Sequence, residues 1–105
     1  MLDTTFAALA DPTRRSIVEF LAAGELSVGE LVEEFSISQS AVSRHLQVLE
    51  HAGLVTRRRD GQRRLCQLNG APLREANEWI ARYREFWDDK LDRLERMMQA
   101  RRKPQ

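Results

Sequence analysis

Between Leu54 and Leu68 the chain abandons the three-and-four spacing of apolar residues that runs through its other parts and becomes strand-like on both sides of Asp60-Gly61. That dipeptide is a strong short-range signal for a two-residue hairpin turn. One hairpin set in a chain of 105 residues that otherwise reads as helix restricts the fold to a mainly α domain with a small β element. A turn at Asp60-Gly61 sets Arg58 opposite Arg63 and Arg57 opposite Arg64, and it places Val55, Cys66 and Leu68 on one face. The result is a basic hairpin with an apolar root.

The helices around it have legible ends. Phe6, Leu9 and Ala10 recur at helical spacing, and Asp11-Pro12 then reads as N-cap and first residue of a second helix to about Ala23, with Ile17, Phe20 and Leu21 inward. Ser27-Val28-Gly29-Glu30 is a capping-box pattern opening a third helix, with Val28, Leu31, Val32 and Phe35 inside. Ser38 caps a fourth, whose apolar stripe is Ala41, Val42, Leu46 and Leu49 and which ends before Gly53. Two short helices joined by a tight turn make a helix-turn-helix over 28–52, followed by the hairpin over 54–68. Pro72 then opens one long helix over 72–100, with Arg101 to Gln105 as a frayed tail.

The net charge of +1 hides a segregation along the chain: −5 over residues 1–35, +4 over 36–70 and +2 over the remainder. A basic middle third suggests one surface facing a polyanion, and nucleic acid is the natural candidate. On the fourth helix, Ser38, Gln39, Ser40, Ser43, Arg44 and Gln47 lie opposite the apolar stripe and towards the N-terminal turns. These are the positions from which the second helix of a helix-turn-helix meets base edges. Arg44 suits guanine, Gln39 or Gln47 suits adenine, and the serines suit bases or phosphates. A solvated polar face is the plainer alternative. The hairpin adds weight to DNA. Like charges opposite one another destabilise paired strands, so Arg57, Arg58, Arg59, Arg63 and Arg64 need an anion that DNA phosphates supply. A merely solvated hairpin is the competing reading.

The run Leu9-Ala10-Asp11-Pro12-Thr13-Arg14-Arg15, the segment Ser38-Gln39-Ser40-Ala41-Val42-Ser43-Arg44-His45-Leu46, Gly53-Leu54-Val55 and the Asp60-Gly61 hairpin together resemble the ArsR family of bacterial repressors. The resemblance covers nearly the whole chain and implies a single winged helix-turn-helix domain over 1–105, ordered α-α-α-α-β-β-α. It also implies a dimeric regulator that binds an imperfect palindrome and represses its own or a neighbouring gene. Metal-sensing relatives carry a Cys-x-Cys pair where this chain has Leu26-Ser27-Val28-Gly29-Glu30, or histidines on the last helix, and no histidine follows His51 here. Soft-metal sites need several such ligands. No metal and no cofactor are therefore expected, and the chain resembles the metal-independent branch, whose last helix is often tryptophan-rich as in Phe86-Trp87-Asp88-Asp89-Lys90-Leu91. The inducing signal is not legible.

Leu73, Ala76, Ile80, Tyr83, Trp87, Leu91, Leu94 and Met98 follow each other by threes and fours on the last helix, and Trp79, Phe86 and Met97 widen the face. A face this broad exceeds what one small helical domain covers, so a homodimer interface is expected at Phe6, Leu9, Ile80, Tyr83, Trp87, Leu91, Leu94 and Met98. The alternative is that the helix folds back on its own domain. Cys66, the one cysteine, reads as a buried structural thiol rather than a redox sensor, and His45 and His51 as local hydrogen-bonding or helix-end residues. No nucleophile with a positioned base is readable, which argues against an enzyme. With no secretory leader pattern in Met1 to Arg15 and no apolar run of about 20 residues, the expected compartment is the cytoplasm without membrane association. Two rival readings are a module gripping an acidic protein partner and, with less support, a small catalytic or metal-handling protein.

Overall fold

The computed structural model describes residues 1–102. Its elements run α1 (Leu2–Leu9), α2 (Pro12–Ala23), β1 (Leu26–Ser27), α3 (Val28–Glu34), α4 (Gln39–His51), β2 (Val55–Asp60), β3 (Arg63–Leu68), α5 (Ala71–Ala81) and α6 (Arg84–Arg102). They divide into two compact units, Met1–Glu75 and the chain from Ala76 onward.

Within the first unit, the helix starts are set by side chains as the sequence leads one to expect. Asp11 accepts from the Arg14 backbone N–H, Ser38 from that of Ala41, and Ser27 and Glu30 close a complete capping box. The orphan carbonyls at the end of α1 are taken by arginines of α2: Arg14 donates to Ala8 O and Ala7 O, and Arg15 to Leu9 O. The family-like run from Leu9 to Arg15 is thus the joint between two helices. Helix α4 ends at Gly53, where Leu54 N–H reaches Leu49 O and Gly53 N–H reaches Glu50 O. This is a Schellman arrangement, and its left-handed residue, at φ +75°, has to be glycine-like.

The core gathers Ala8, Ile17, Leu21, Leu31, Val42, Leu46, Leu49, Ala52, Leu54, Val55 and Cys66, so α4 is held by Val42, Leu46 and Leu49, while Ala41 of the expected stripe is only partly buried outside that cluster. Phe20, expected inside, lies at the surface edge-on to Phe35, with ring centroids 5.7 Å apart. Ile17 and Leu21 already fill the inward positions of α2, which leaves Phe20 one step round the helix.

The sheet differs from expectation in two ways. It has three strands in the order β1-β3-β2, because Leu26 and Ser27 pair antiparallel with Cys66 and Leu65. The hairpin register is also displaced: Asp60 pairs with Arg63, Arg58 faces Leu65, Arg57 faces Cys66, and Arg59 with Arg64 is the facing arginine pair. Asp60 stays in the strand, and Gly61 alone takes a positive φ, +65°, as the first central residue of the turn. That is where a II′-type turn puts glycine, whereas a turn centred on Asp60-Gly61 would need a positive φ at Asp60 as well. Relative to the expected register, β3 has slipped by two residues. A slip of two preserves faces, so Val55, Cys66 and Leu68 still share one, while every cross-strand partner changes.

The expected single helix over 72–100 is two helices, α5 and α6. No proline or glycine causes the break; Arg82 N–H and Tyr83 N–H bond three residues back, to Trp79 O and Ile80 O, which tightens the backbone to a 3₁₀-like turn. Apolar residues at Ile80, Tyr83 and Phe86 recur every three, a spacing that fits both geometries. The last helix continues through Arg101 to Arg102 rather than fraying there, and Lys103 to Gln105 lie outside the described residues. Ala76 is buried, but every residue from 77 to 101 is exposed.

Candidate nucleic-acid interface

Helix α4 is anchored by Val42, Leu46 and Leu49, each fully buried, so its opposite face is fixed outward. Gln39, Ser40, Ser43, Arg44 and Gln47 line a single shallow depression on that face. Ser38 is its N-cap, and the hydroxyl of Ser38 lies 3.1 Å from that of Ser40. A second groove, of about 510 Å³, adjoins it and carries the surface onto the hairpin: Gln39 and Ser43 of α4 meet Arg57, Gln62, Arg63 and Arg64. The structure thereby brings the polar positions of α4 and the arginines of the wing together. Gln62, which the sequence reading did not single out, joins them because the displaced register puts it in the turn.

The arginines are not equivalent. Arg57 Nε is paired with Glu50 on α4. Arg58 makes a two-point contact with Glu25, Nη2 to Oε1 at 2.7 Å and Nε to Oε2 at 3.1 Å. Arg63 donates to Glu30 Oε1 at 2.8 Å, the same oxygen that accepts the Ser27 N–H at 3.0 Å. The anion required by the clustered arginines is therefore supplied, at three of five positions, by the chain's own carboxylates. This corrects the expectation that cross-strand repulsion leaves them dependent on DNA. Arg59, Arg64 and Arg44 have no ion pair among the described residues. The carboxylates went unread because Glu30 already had a local role in the capping box, and Glu25 and Glu50 belong to no motif. The available signal was the charge segregation itself: Glu25 and Glu30 come from the acidic first third and meet arginines of the basic second.

Local electrostatics follow the same contacts. The Ser27 backbone N–H, then its hydroxyl, then Arg63 hold the Glu30 carboxyl below its ordinary range. Glu25 beside Arg58 raises the guanidinium further. His45 of α4 stands 3.8 Å from Asp11 and 3.5 Å from Arg14, tying α4 to the α1–α2 joint. Asn69 closes the other end, its Nδ2 donating to Gly53 O at 2.9 Å. Cys66 is fully buried, and burial pushes its thiol up, which disfavours the thiolate. Among the described residues, no group of three or more His, Cys, Asp or Glu is placed to hold a metal ion.

Of the residues expected at a dimer interface, Ile80, Tyr83, Trp87, Leu91, Leu94 and Met98 are about half exposed, and Phe6 lies at the surface of α1. Leu9 packs against the core of its own unit. Around the α5–α6 break, Trp79, Ile80, Tyr83, Phe86 and Trp87 line an apolar depression of about 420 Å³. Among the described residues no helix is long and apolar enough to cross a membrane.

Residues 11–57 match the family model described as bacterial regulatory protein, arsR family. The transcriptional repressor SdpR of Bacillus subtilis is 32% identical over 90 residues, which cover 86% of this chain and all of that protein. The HTH-type transcriptional regulator Rv2034 of Mycobacterium tuberculosis is 54% identical over 71 residues, covering 68% of this chain and 66% of its own. A solved ArsR-like transcriptional regulator from Rhodococcus sp. RHA1 superposes with a TM-score of 0.72 at 29% identity, over 91% of both chains. The match to SdpR spans that whole protein, and the family segment contains both helices of the helix-turn-helix. The chain belongs to the arsR family of bacterial regulatory proteins, winged-helix transcriptional regulators that bind double-stranded DNA and are not enzymes.

Proposed function

We propose that this regulator acts in the cytoplasm as a homodimeric repressor at a palindromic operator near its own or a neighbouring gene, with α4 in the major groove and the wing along the backbone. The observation that carries the reading is the continuity of the α4 face with the wing groove through Gln39 and Ser43. Arg44 and Gln47 read bases from α4. Ser38, Ser40 and Ser43 fix its position on the phosphates, and Arg59 and Arg64 supply backbone charge at the wing tip. Repression by the similar SdpR favours the same sign of regulation here.

The second copy follows from α6. In α6, a helix of 19 residues, every side chain from Arg84 to Arg101 is exposed, whereas most helical stability in proteins comes from packing an apolar face. Along the sequence of α6 the acidic residues Glu85, Asp88, Asp89 and Asp92 outnumber Arg84 and Lys90 before Arg93, whereas Arg93, Arg96 and Arg101 outnumber Glu95 after it, a bias that favours an antiparallel partner. Ile80, Tyr83, Trp87, Leu91, Leu94 and Met98 are the apolar contacts of that interface, with Phe6 contributing from α1. Titration of the protein's own upstream DNA against random duplex at moderate salt tests the function. Tighter binding to a palindrome in the upstream DNA is expected, and equal binding to both duplexes overturns the reading.

A further inference from the structure

Two of the wing's ion pairs are at exposed positions, and exposed pairs contribute little to stability in water. Their consequence lies elsewhere. Arg58 and Arg63 occupy the strand face that also carries Leu65, and each is met by a carboxylate from outside the hairpin. Glu30 is doubly held, since its Oε1 accepts both Arg63 and the Ser27 N–H, and Glu25 grips Arg58 at two points. Neither carboxylate leaves without breaking more than one contact.

A phosphate approaching such a pair has two outcomes. If the pair stays closed, the arginine's charge is already offset by its carboxylate and the pair as a whole displaces no counterion from DNA. If it opens, a carboxylate is stranded beside the phosphates and repels them. Either way the contribution to sequence-independent binding, which grows with the number of phosphates neutralised, is lost or reduced. The base-reading positions on α4 are untouched, because Arg44 has no carboxylate partner among the described residues.

Resting on the reading of the α4–wing surface as the DNA interface, we propose that Glu25 and Glu30 are specificity-determining residues, built-in anions that neutralise Arg58 and Arg63 and so suppress the wing's attraction for DNA of any sequence. Arg59 and Arg64, facing each other next to the turn, are left as the wing's free charge. The device raises discrimination by lowering the non-specific background.

The test is the double variant Glu25→Gln/Glu30→Gln, titrated with upstream DNA and with random duplex across a salt series. Glutamine at 30 retains the capping box, and the single variant Glu25→Gln, in a link with no capping role, serves if the double variant melts early. Release of two arginines is expected to steepen the slope of log affinity against log salt by up to about 1.8, at about 0.9 per phosphate contact. Random-duplex affinity should rise roughly tenfold or more near 0.1 M salt, and the ratio of specific to random binding should fall. Adding Arg58→Gln/Arg63→Gln to the glutamine variant should abolish the gain and return the slope to that of the native protein. Unchanged slope and affinity in a folded variant, or weaker binding, overturns the proposal. So does a gain that survives Arg58→Gln/Arg63→Gln in the glutamine background, since the released arginines would then not be its source. If the native protein itself shows neither salt-dependent binding nor preference for upstream DNA, it is the DNA-interface reading that has failed, and this inference falls with it.

Discussion

The two units of this chain spend their apolar residues in opposite ways. In Met1–Glu75 the stripes of α2, α3, α4 and the hairpin close on one another, and Ile17, Leu31, Val42, Leu46, Leu49, Leu54 and Cys66 are shut off from water. From Ala76 onward the same density of large side chains stays outside: Trp87 is 58% exposed, Leu91 57% and Leu94 53%. Periodicity looks alike in both. The difference is that converging stripes make a core, whereas the exposed stripe of the second unit is left available for an interface. On the dimer reading, the first unit's residues determine whether the protein folds, and the second unit's whether it assembles.

The comparison breaks most directly at Leu46. Leu46→Ala removes a fully buried side chain on the inner side of α4 and is expected to cost about 2–5 kcal/mol in urea denaturation. A loss below about 1 kcal/mol would mean that the first unit does not close on this residue. Trp87→Ala probes the other unit, and on the dimer reading it behaves as an interface anchor, weakening self-association by about 2 kcal/mol or more in sedimentation equilibrium. Its folding transition at high dilution should hardly move. An unchanged association constant would assign the exposed face to something other than a second copy.

Arg44→Ala tests the surface that the first core supports, and a loss of about 1–3 kcal/mol on the preferred duplex is expected if the side chain reads a base. Sequence preference should relax with it. An equal loss on random duplex would reassign Arg44 to phosphate.

The smallest effect is on acid stability, and it is confined to the first unit. The Arg14 backbone N–H is the main cause that holds the Asp11 carboxyl below its ordinary value of 3.8, with His45 and Arg14 charges adding to it. A carboxyl with a lowered folded value stabilises the fold above its unfolded value, and that contribution is lost as pH falls through the folded one. Thermal midpoints should thus drop below about pH 4 in the native protein and drop less in Asp11→Asn, which retains the capping oxygen without the charge. Parallel acid limbs in the two proteins would show that the charge on Asp11 carries none of this stability.

How much of this was readable depended on the range of the interaction. Helix starts at Asp11, Ser27 and Ser38 and the stop at Gly53 were legible, because a cap is made by residues three to five apart and its partners travel with it in the sequence. The inner stripe of α4 was legible for the same reason, and with it the outward face of Gln39, Ser43 and Arg44. The hairpin was legible as an element and by face but not by register. Only backbone sterics at Asp60 and Gly61, together with pairing of β3 to β1 as well as β2, choose between registers two residues apart. The break at Arg82-Tyr83 was hidden because a spacing of three suits either helix.

By itself, the sequence determined the first four helices and the hairpin that follows them, the capped helix starts, the buried stripe of α4 and the membership of the chain in a family of DNA-binding regulators. Those depend on local backbone geometry and side-chain period, which neighbours in the chain settle. Tertiary structure alone decided which charges are free. Arg58 and Glu25 are 33 residues apart, as are Arg63 and Glu30, and their meeting depends on how β1 and α3 lie against the hairpin. A charge count along the chain records every arginine of the wing as available. Folding brings the acidic third onto the basic one, and because a Coulomb interaction depends on distance in space, the wing ends with Arg59 and Arg64 unpaired among the described residues.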